Sequence, residues 1–296
     1  MFSWNLFADI GQMLSYQFMV SAFEVGGIVA VVAGVVGYFV ILRRTAFSAH
    51  ALSHIGFAGA AGAAVIGVQP IVGLIVSCVC AGGVIGGLGQ RLRDRDTVIG
   101  IVLAFALGLG VLFLSLYKGG NAGLAVSILF GEILGVTSDQ VVLTLVIGVV
   151  ALVLVAVMYR PLLFASVDAD VAEARGVPVR LLSIAFVTTV GLAVAVSVQV
   201  VGVLLIFALL VTPAAIAERV AHSPLQALVI GVLIALASTW IGLFIAYFTP
   251  YPVSFFITAI SFGAYAVVRL VKWAAERRSR EASGAIDEGL QRGVPG

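Results

Sequence analysis

Apolar residues recur along this chain in runs long enough to cross a bilayer, separated by short polar interruptions. The runs fall near 18–42, 52–68, 70–90, 97–117, 140–159, 181–198, 200–217, 224–247 and 253–271. A helix needs about 20 apolar residues to traverse hydrocarbon, so the pattern predicts an all-α integral membrane protein with about nine transmembrane helices. The second run is short and rich in Gly and Ala. The stretch 121–138 is apolar but interrupted by Gly131, Glu132 and Gly135, which predicts a re-entrant or half-length helix. No polar stretch between the runs is long enough to fold separately, so residues 18–271 are expected to form one transmembrane domain. Residues 1–17 mix Phe2, Trp4, Leu6 and Phe7 with Asn5, Asp9 and Gln12, as an interfacial segment does. Residues 272–296 are charged, contain Gly and Pro, and read as a mobile cytoplasmic tail.

Composition agrees with lipid as the solvent: 62% of the 296 residues are hydrophobic and 10% charged, with a mean hydropathy of +1.20. The net charge of +2 is small and the basic residues are scattered over loops, which excludes a nucleic-acid surface. The first basic residue is Arg43, after a complete span, so a cleavable signal peptide is not expected. With the N-terminus outside and nine crossings, the inner segments are the loops 43–50, 91–96, 160–180 and 218–223 and the C-terminal tail from Arg269 onward, and Lys118 is then the one basic residue left outside. That is the asymmetry that fixes orientation. Cys78 and Cys80 point to different faces of one apolar helix, as buried small residues and not as a disulfide. The 34 glycines suit close helix packing in a membrane.

The longest inner loop carries its own helix signals. Asp168 can cap the first amides, Asp170 sits in the first turn, and Arg175 suits the negative end. Gly176 can close the helix in the left-handed conformation before Pro178 stops it. Val171 and Ala174 (or Ala172) give it a small apolar face. The segment fits a linker helix on the membrane surface or a helix that inserts into a partner's groove. The chain holds no G-x-x-x-x-G-K-[ST] phosphate loop, so ATP-driven work would need a second polypeptide.

The sequence resembles the permeases of zinc- and manganese-type ABC importers, which share the cobalamin-permease fold. The likeness covers about 250 residues. It is carried by Leu42-Arg43-Arg44, by Phe47-Ser48-Ala49-His50-Ala51-Leu52-Ser53-His54, by residues 167–180, and by Gln199-Val200-Val201-Gly202-Val203-Leu204-Leu205 leading to Leu210-Val211-Thr212-Pro213-Ala214-Ala215. The resemblance implies an inner-membrane permease homodimer, a separate cytoplasmic ATPase subunit in two copies, and an extracellular metal-binding protein. It implies that 168–176 is the coupling helix. It also implies that the divalent metal, zinc or manganese, is cargo and that no cofactor is held permanently, with ATP on the partner. In the family the position of His50 is often Asp and that of Ala49 often Gly, a departure that leaves the metal preference open.

His50 and His54 are two of only three histidines, and their i,i+4 spacing puts both on one helix face. Imidazole suits zinc and is acceptable to manganese. The spacing alone fits structural histidines equally; the resemblance favours metal. Glu24 and Glu132 are ionisable residues inside apolar segments, which tend to mark pathways. Asp139 and Glu218 lie near span ends, where water or a partner can satisfy them, and His222 lies in a short surface loop. Gln199 and Thr212 need only helix–helix hydrogen bonds to explain them. Pro213 should kink or break its helix and could supply gating flexibility.

Three other readings compete with this one. A permease for a cobalamin or siderophore chelate would need a wide aromatic-lined cavity. An intramembrane metallopeptidase would need a general base, and His50-Ala51-Leu52-Ser53-His54 has no glutamate in the H-E-x-x-H position. A passive channel or secondary carrier would need no docking helix.

Overall fold

The computed structural model describes residues 11–13, 15–88, 95–117 and 121–292. The described chain is helical: α1 (Gln17–Leu42), α2 (Ala46–Val65), α3 (Pro70–Gly87), α4 (Arg95–Leu116), α5 (Asn121–Phe130), a 3-10 turn (Ile133–Gly135), α6 (Ser138–Val167), α7 (Ala169–Ala174), α8 (Val179–Val201), α9 (Val203–Val220), α10 (Pro224–Tyr247) and α11 (Val253–Arg292). Helices satisfy their backbone groups internally, which hydrocarbon requires. Among the described residues, eight helices are long and apolar enough to cross a membrane. They are all the long ones except α2, whose histidines and serines lower its hydropathy. At 20 residues α2 is still about 30 Å long, and it completes nine crossings.

The helices α1 and α8 form the centre. Buried residues make up 67% of the apolar window of α1 and 72% of that of α8, against 17% for α4 and for the membrane part of α11. Phe39, Phe186, Leu209, Leu210 and Leu162 are fully buried among them. The outer helices turn Val, Leu, Ile and Phe side chains outward, Phe105 and Val157 among them, as lipid-facing surfaces do.

Contacts along α2, α3 and α8 run in order and fix their relative depth. Gly59 meets Gly73 and Ser77 of α3, Gly56 lies against Cys78, and the Cys78 carbonyl lies against Gly191 of α8. A β-carbon at Gly59 would collide with the Ser77 hydroxyl and the Gly73 carbonyl, so glycine is what lets these backbones touch. The Cys78 thiol also donates to the Leu52 carbonyl at 3.3 Å. Leu52 is therefore level with the middle of both α3 and α8.

That depth corrects the sequence expectation for the first inner loop. The loop is 43–45, not 43–50, and the second span starts at Ala46 instead of Leu52. Arg43 and Thr45 are buried, and the Arg43 guanidinium carbon lies 5.5 Å over the Phe186 ring. Hydropathy assigned these residues to the cytoplasm because they are polar, whereas the aromatic ring and local turn make burial tolerable. Two further boundaries move. The helix α6 extends through Val167, past the expected end at 159, and α11 continues without a break as a helix to Arg292, through most of the expected tail. Ala, Glu and Arg are good helix formers, so the last span has no local reason to stop. Most of the interfacial segment 1–17 lies outside the described residues.

Candidate metal-permeation site

The two histidines share one face of α2. Their rings are 4.7 Å apart, centroid to centroid, at 82°, and Phe207 of α9 stacks edge-on to His50 at 4.9 Å. Both Nδ1 atoms are shielded from solvent and have no hydrogen-bond partner. A structural histidine would normally spend that nitrogen on a backbone carbonyl. The Ser53 hydroxyl donates to the His50 carbonyl at 2.7 Å, so the backbone between the rings is held while the rings keep their donor electrons. Each ring is only half-buried, and since Leu52 is level with the centres of α3 and α8, the pair lies near mid-membrane. Neutral imidazoles in that setting can coordinate a cation.

Toward the outer end, a cavity of about 460 Å³ is lined by Glu132, Asp139, Gln140, Gln199 and Gln69, with aliphatic residues between them. Ala60 of α2 is in its wall, about six residues and hence about 9 Å along the helix from His54. The start of α3, the end of α5, the start of α6 and the end of α8 build this cavity. Thr137 and Gln140 form a reciprocal cap at the start of α6, with the Thr137 amide donating to the Gln140 side-chain oxygen at 2.9 Å. Asp139 in that first turn is favoured by the helix dipole. Glu132 follows the break after α5, whose last carbonyl, on Phe130, accepts from the Ser254 hydroxyl at 3.0 Å.

Of the acidic residues singled out in the sequence, Glu132 lines the cavity and Glu24 does not. Glu24 lies on the exposed side of α1, one turn from Gly27, whose open side faces the Trp240 indole. Asp139 and Gln199 were read as locally satisfied, yet both share the cavity with Glu132. No sequence spacing joins positions so far apart. The available signal was the glycine-rich break around Glu132, which shows where a chain leaves room for side chains to converge. Among the described residues, no group of three or more His, Cys, Asp or Glu is arranged to hold a metal. His222 is exposed and its amide donates to Gln226, as a surface residue does.

The helix α7 forms as its caps predict. The Asp168 carboxylate accepts from the amides of Asp170 and Val171, each at 3.0 Å. At the other end Gly176 has φ +88°, and the amides of Gly176 and Val177 donate to Glu173 and Ala172, the paired closure of a Schellman motif. Ala172 is fully buried against the body, whereas Asp170, Val171, Ala174 and Arg175 face outward. The outward apolar face is thus Val171 with Ala174, and Ala172 serves to seat the helix.

Pro213 does not break its helix: α9 runs through it from Val203 to Val220, and the break falls at Gly202, φ +87°. Proline removes one helical hydrogen bond, but Gly202 adopts a conformation that other residues rarely reach.

The long apolar helices and the short capped helix between α6 and α8 fit the membrane-embedded part of a transporter. The ABC 3 transport family matches residues 15–272, and the chain belongs to that family: it is a multi-pass ABC-transporter permease of the bacterial cell membrane. It is 33% identical over 214 residues to the manganese transport system membrane protein MntC of Halalkalibacterium halodurans, covering 72% of this chain and 73% of the relative. It is 31% identical to the manganese import system permease protein ScaB of Streptococcus parasanguinis, covering 80% and 85%. Among solved structures, PsaBC from Streptococcus pneumoniae in complex with Fab superposes with a TM-score of 0.79 at 28% identity, covering 88% of this chain and 94% of that one.

Proposed function

We propose that this chain is the permease of an ATP-driven importer that passes a divalent metal ion, manganese or zinc, into the cytoplasm, with His50 and His54 as its ligands midway. The observation that carries the reading is the pair of shielded, unpartnered Nδ1 atoms on facing rings. A permeant ion needs a site weak enough to release it, and two imidazoles with water make one. A second copy of the chain across a two-fold axis would bring the ligand count to four; a homodimer is therefore part of the proposal. Glu132, Asp139 and Gln199 gather the ion at the outer side, and Glu24 stands apart as a further carboxylate near the outer mouth. The relatives named for manganese favour that ion. Among the described residues, the lining of the outer cavity includes no aromatic side chain, which supports a bare ion over a bulky chelate.

The energy source is proposed to be a separate cytoplasmic ATPase that receives α7, through Asp170, Val171, Ala174 and Arg175, with Asp168 and Gly176 fixing the helix ends. An extracellular metal-binding protein would deliver the ion. Pro213 would lend α9 the compliance to gate beside Phe207. The test is ATP-dependent uptake of manganese and zinc into liposomes holding the permease, its ATPase and its binding protein. Uptake that is metal-selective and lost in His50→Ala/His54→Ala, with assembly intact, is the expected result. Normal uptake by that double variant removes the histidines from the route.

A further inference from the structure

On the lipid-facing side, away from the histidines, α1, α6 and α10 leave a slot of about 510 Å³. That lies within the roughly 300–1,000 Å³ typical of small-molecule pockets. Its walls are Val35, Leu152, Val155, Leu225 and Leu228, with Tyr159, Arg160 and Pro161 at one end. Leu225 and Leu228 belong to the first turns of α10, just after the cytoplasmic loop 221–223, so the polar end of the slot lies in the inner leaflet.

Two features of that end call for a polar occupant. Arg160 is exposed, and among the described residues it makes no hydrogen bond or ion pair. Pro161, inside α6, has no N–H to give the Val157 carbonyl one turn earlier, and both residues face the slot. A fixed positive charge and a carbonyl without its helical donor thus sit together at the mouth of an apolar trough. A second transmembrane helix that filled the trough would need a carboxylate for Arg160 and a side-chain donor for the carbonyl, whereas an anionic lipid carries both in its head group.

We propose that the slot binds one anionic phospholipid of the inner leaflet. An acyl chain lies along Val35, Val155 and Leu228, the phosphate rests on Arg160, and a head-group hydroxyl donates to the Val157 carbonyl. The lipid fills the gap between α6, which leads directly into α7, and α10. The assignment is independent of which ion the permease carries.

The test uses the purified full chain in detergent, with phosphatidylglycerol or phosphatidylcholine added, followed by thermal unfolding and by lipid retention in native mass spectrometry. Wild type should keep phosphatidylglycerol and unfold at higher temperature with it than with phosphatidylcholine. Arg160→Gln should weaken phosphatidylglycerol binding by about fivefold, the effect of one surface cation. Ala156→Phe, which fills the slot from an exposed position while leaving Arg160 in place, should abolish retention. The proposal is overturned if both variants hold phosphatidylglycerol as wild type does, or if phosphatidylcholine stabilises equally. It is also overturned if Ala156→Phe lowers the dimer fraction instead of lipid retention, since the slot would then be an interface between copies.

Discussion

Gly131 and Gly202 hold two helix breaks in direct backbone contact. A β-carbon at Gly131 would lie 2.6 Å from the Gly202 amide nitrogen, and one at Gly202 would lie 2.6 Å from the Gly131 nitrogen. Both have positive φ, +74° and +87°. The contact joins the end of α5 to the α8–α9 break, beside Glu132 and Val200 in the wall of the outer cavity. Gly131→Ala or Gly202→Ala should each destabilise the protein by about 1–3 kcal/mol from backbone strain alone, with the clash adding more. Gly108→Ala, which meets nothing within 4 Å, should be neutral or slightly stabilising. Thermal unfolding of the three variants in one detergent checks this.

Removal of either imidazole should cost more than the about 10–100-fold typical of groups that only support a ligand. His50→Ala and His54→Ala should each depress uptake at sub-saturating metal while leaving expression and assembly unchanged. Phe207→Leu, which removes the ring stacked on His50 but no ligand, should have a smaller effect. Equal losses from all three would mean that the site is sensitive to packing and not to coordination.

In the proposed ion-gathering role the outer carboxylates act at a distance, so their effect should show in apparent affinity. Glu132→Gln and Asp139→Asn should raise the metal concentration for half-maximal uptake with little change in maximal rate, and the penalty should shrink as ionic strength rises. Glu24→Gln, outside the cavity, should shift it less. A fall in maximal rate with unchanged affinity would contradict an ion-gathering role.

Two substitutions separate the stability of α7 from its docking. Asp168→Ala removes a cap bonded to two amides and should cost about 1 kcal/mol of local stability. Val171→Asp places a charge on the outward face without touching either cap. It should sever metal uptake from ATP hydrolysis in the reconstituted complex, with membrane insertion unaffected. Coupled turnover in Val171→Asp would place the ATPase contact elsewhere.

Pro213→Ala restores the helical donor to the Leu209 carbonyl and stiffens α9. Turnover should slow severalfold, about the effect of 1 kcal/mol, with metal affinity unchanged. Transport at the wild-type rate dismisses the gating role.

The features that the sequence determined by itself are those set by local period and local chemistry. Apolar runs of bilayer length gave the helices, and Asp168, Gly176 and Pro178 bounded α7 because capping involves only neighbouring residues. The i,i+4 spacing put His50 and His54 on one face for the same reason. Depth and convergence were decided by tertiary structure. Arg43 and His50 read as loop residues from their polarity, but Arg43 is buried over the Phe186 ring and the glycine contacts of α2 with α3 set the depth of His50. Glu132, Asp139 and Gln199 share a cavity only because Gly131 and Gly202 permit two distant breaks to touch. Such contacts depend on shape matched between segments far apart in the chain, and periodicity within one segment carries no record of its partner.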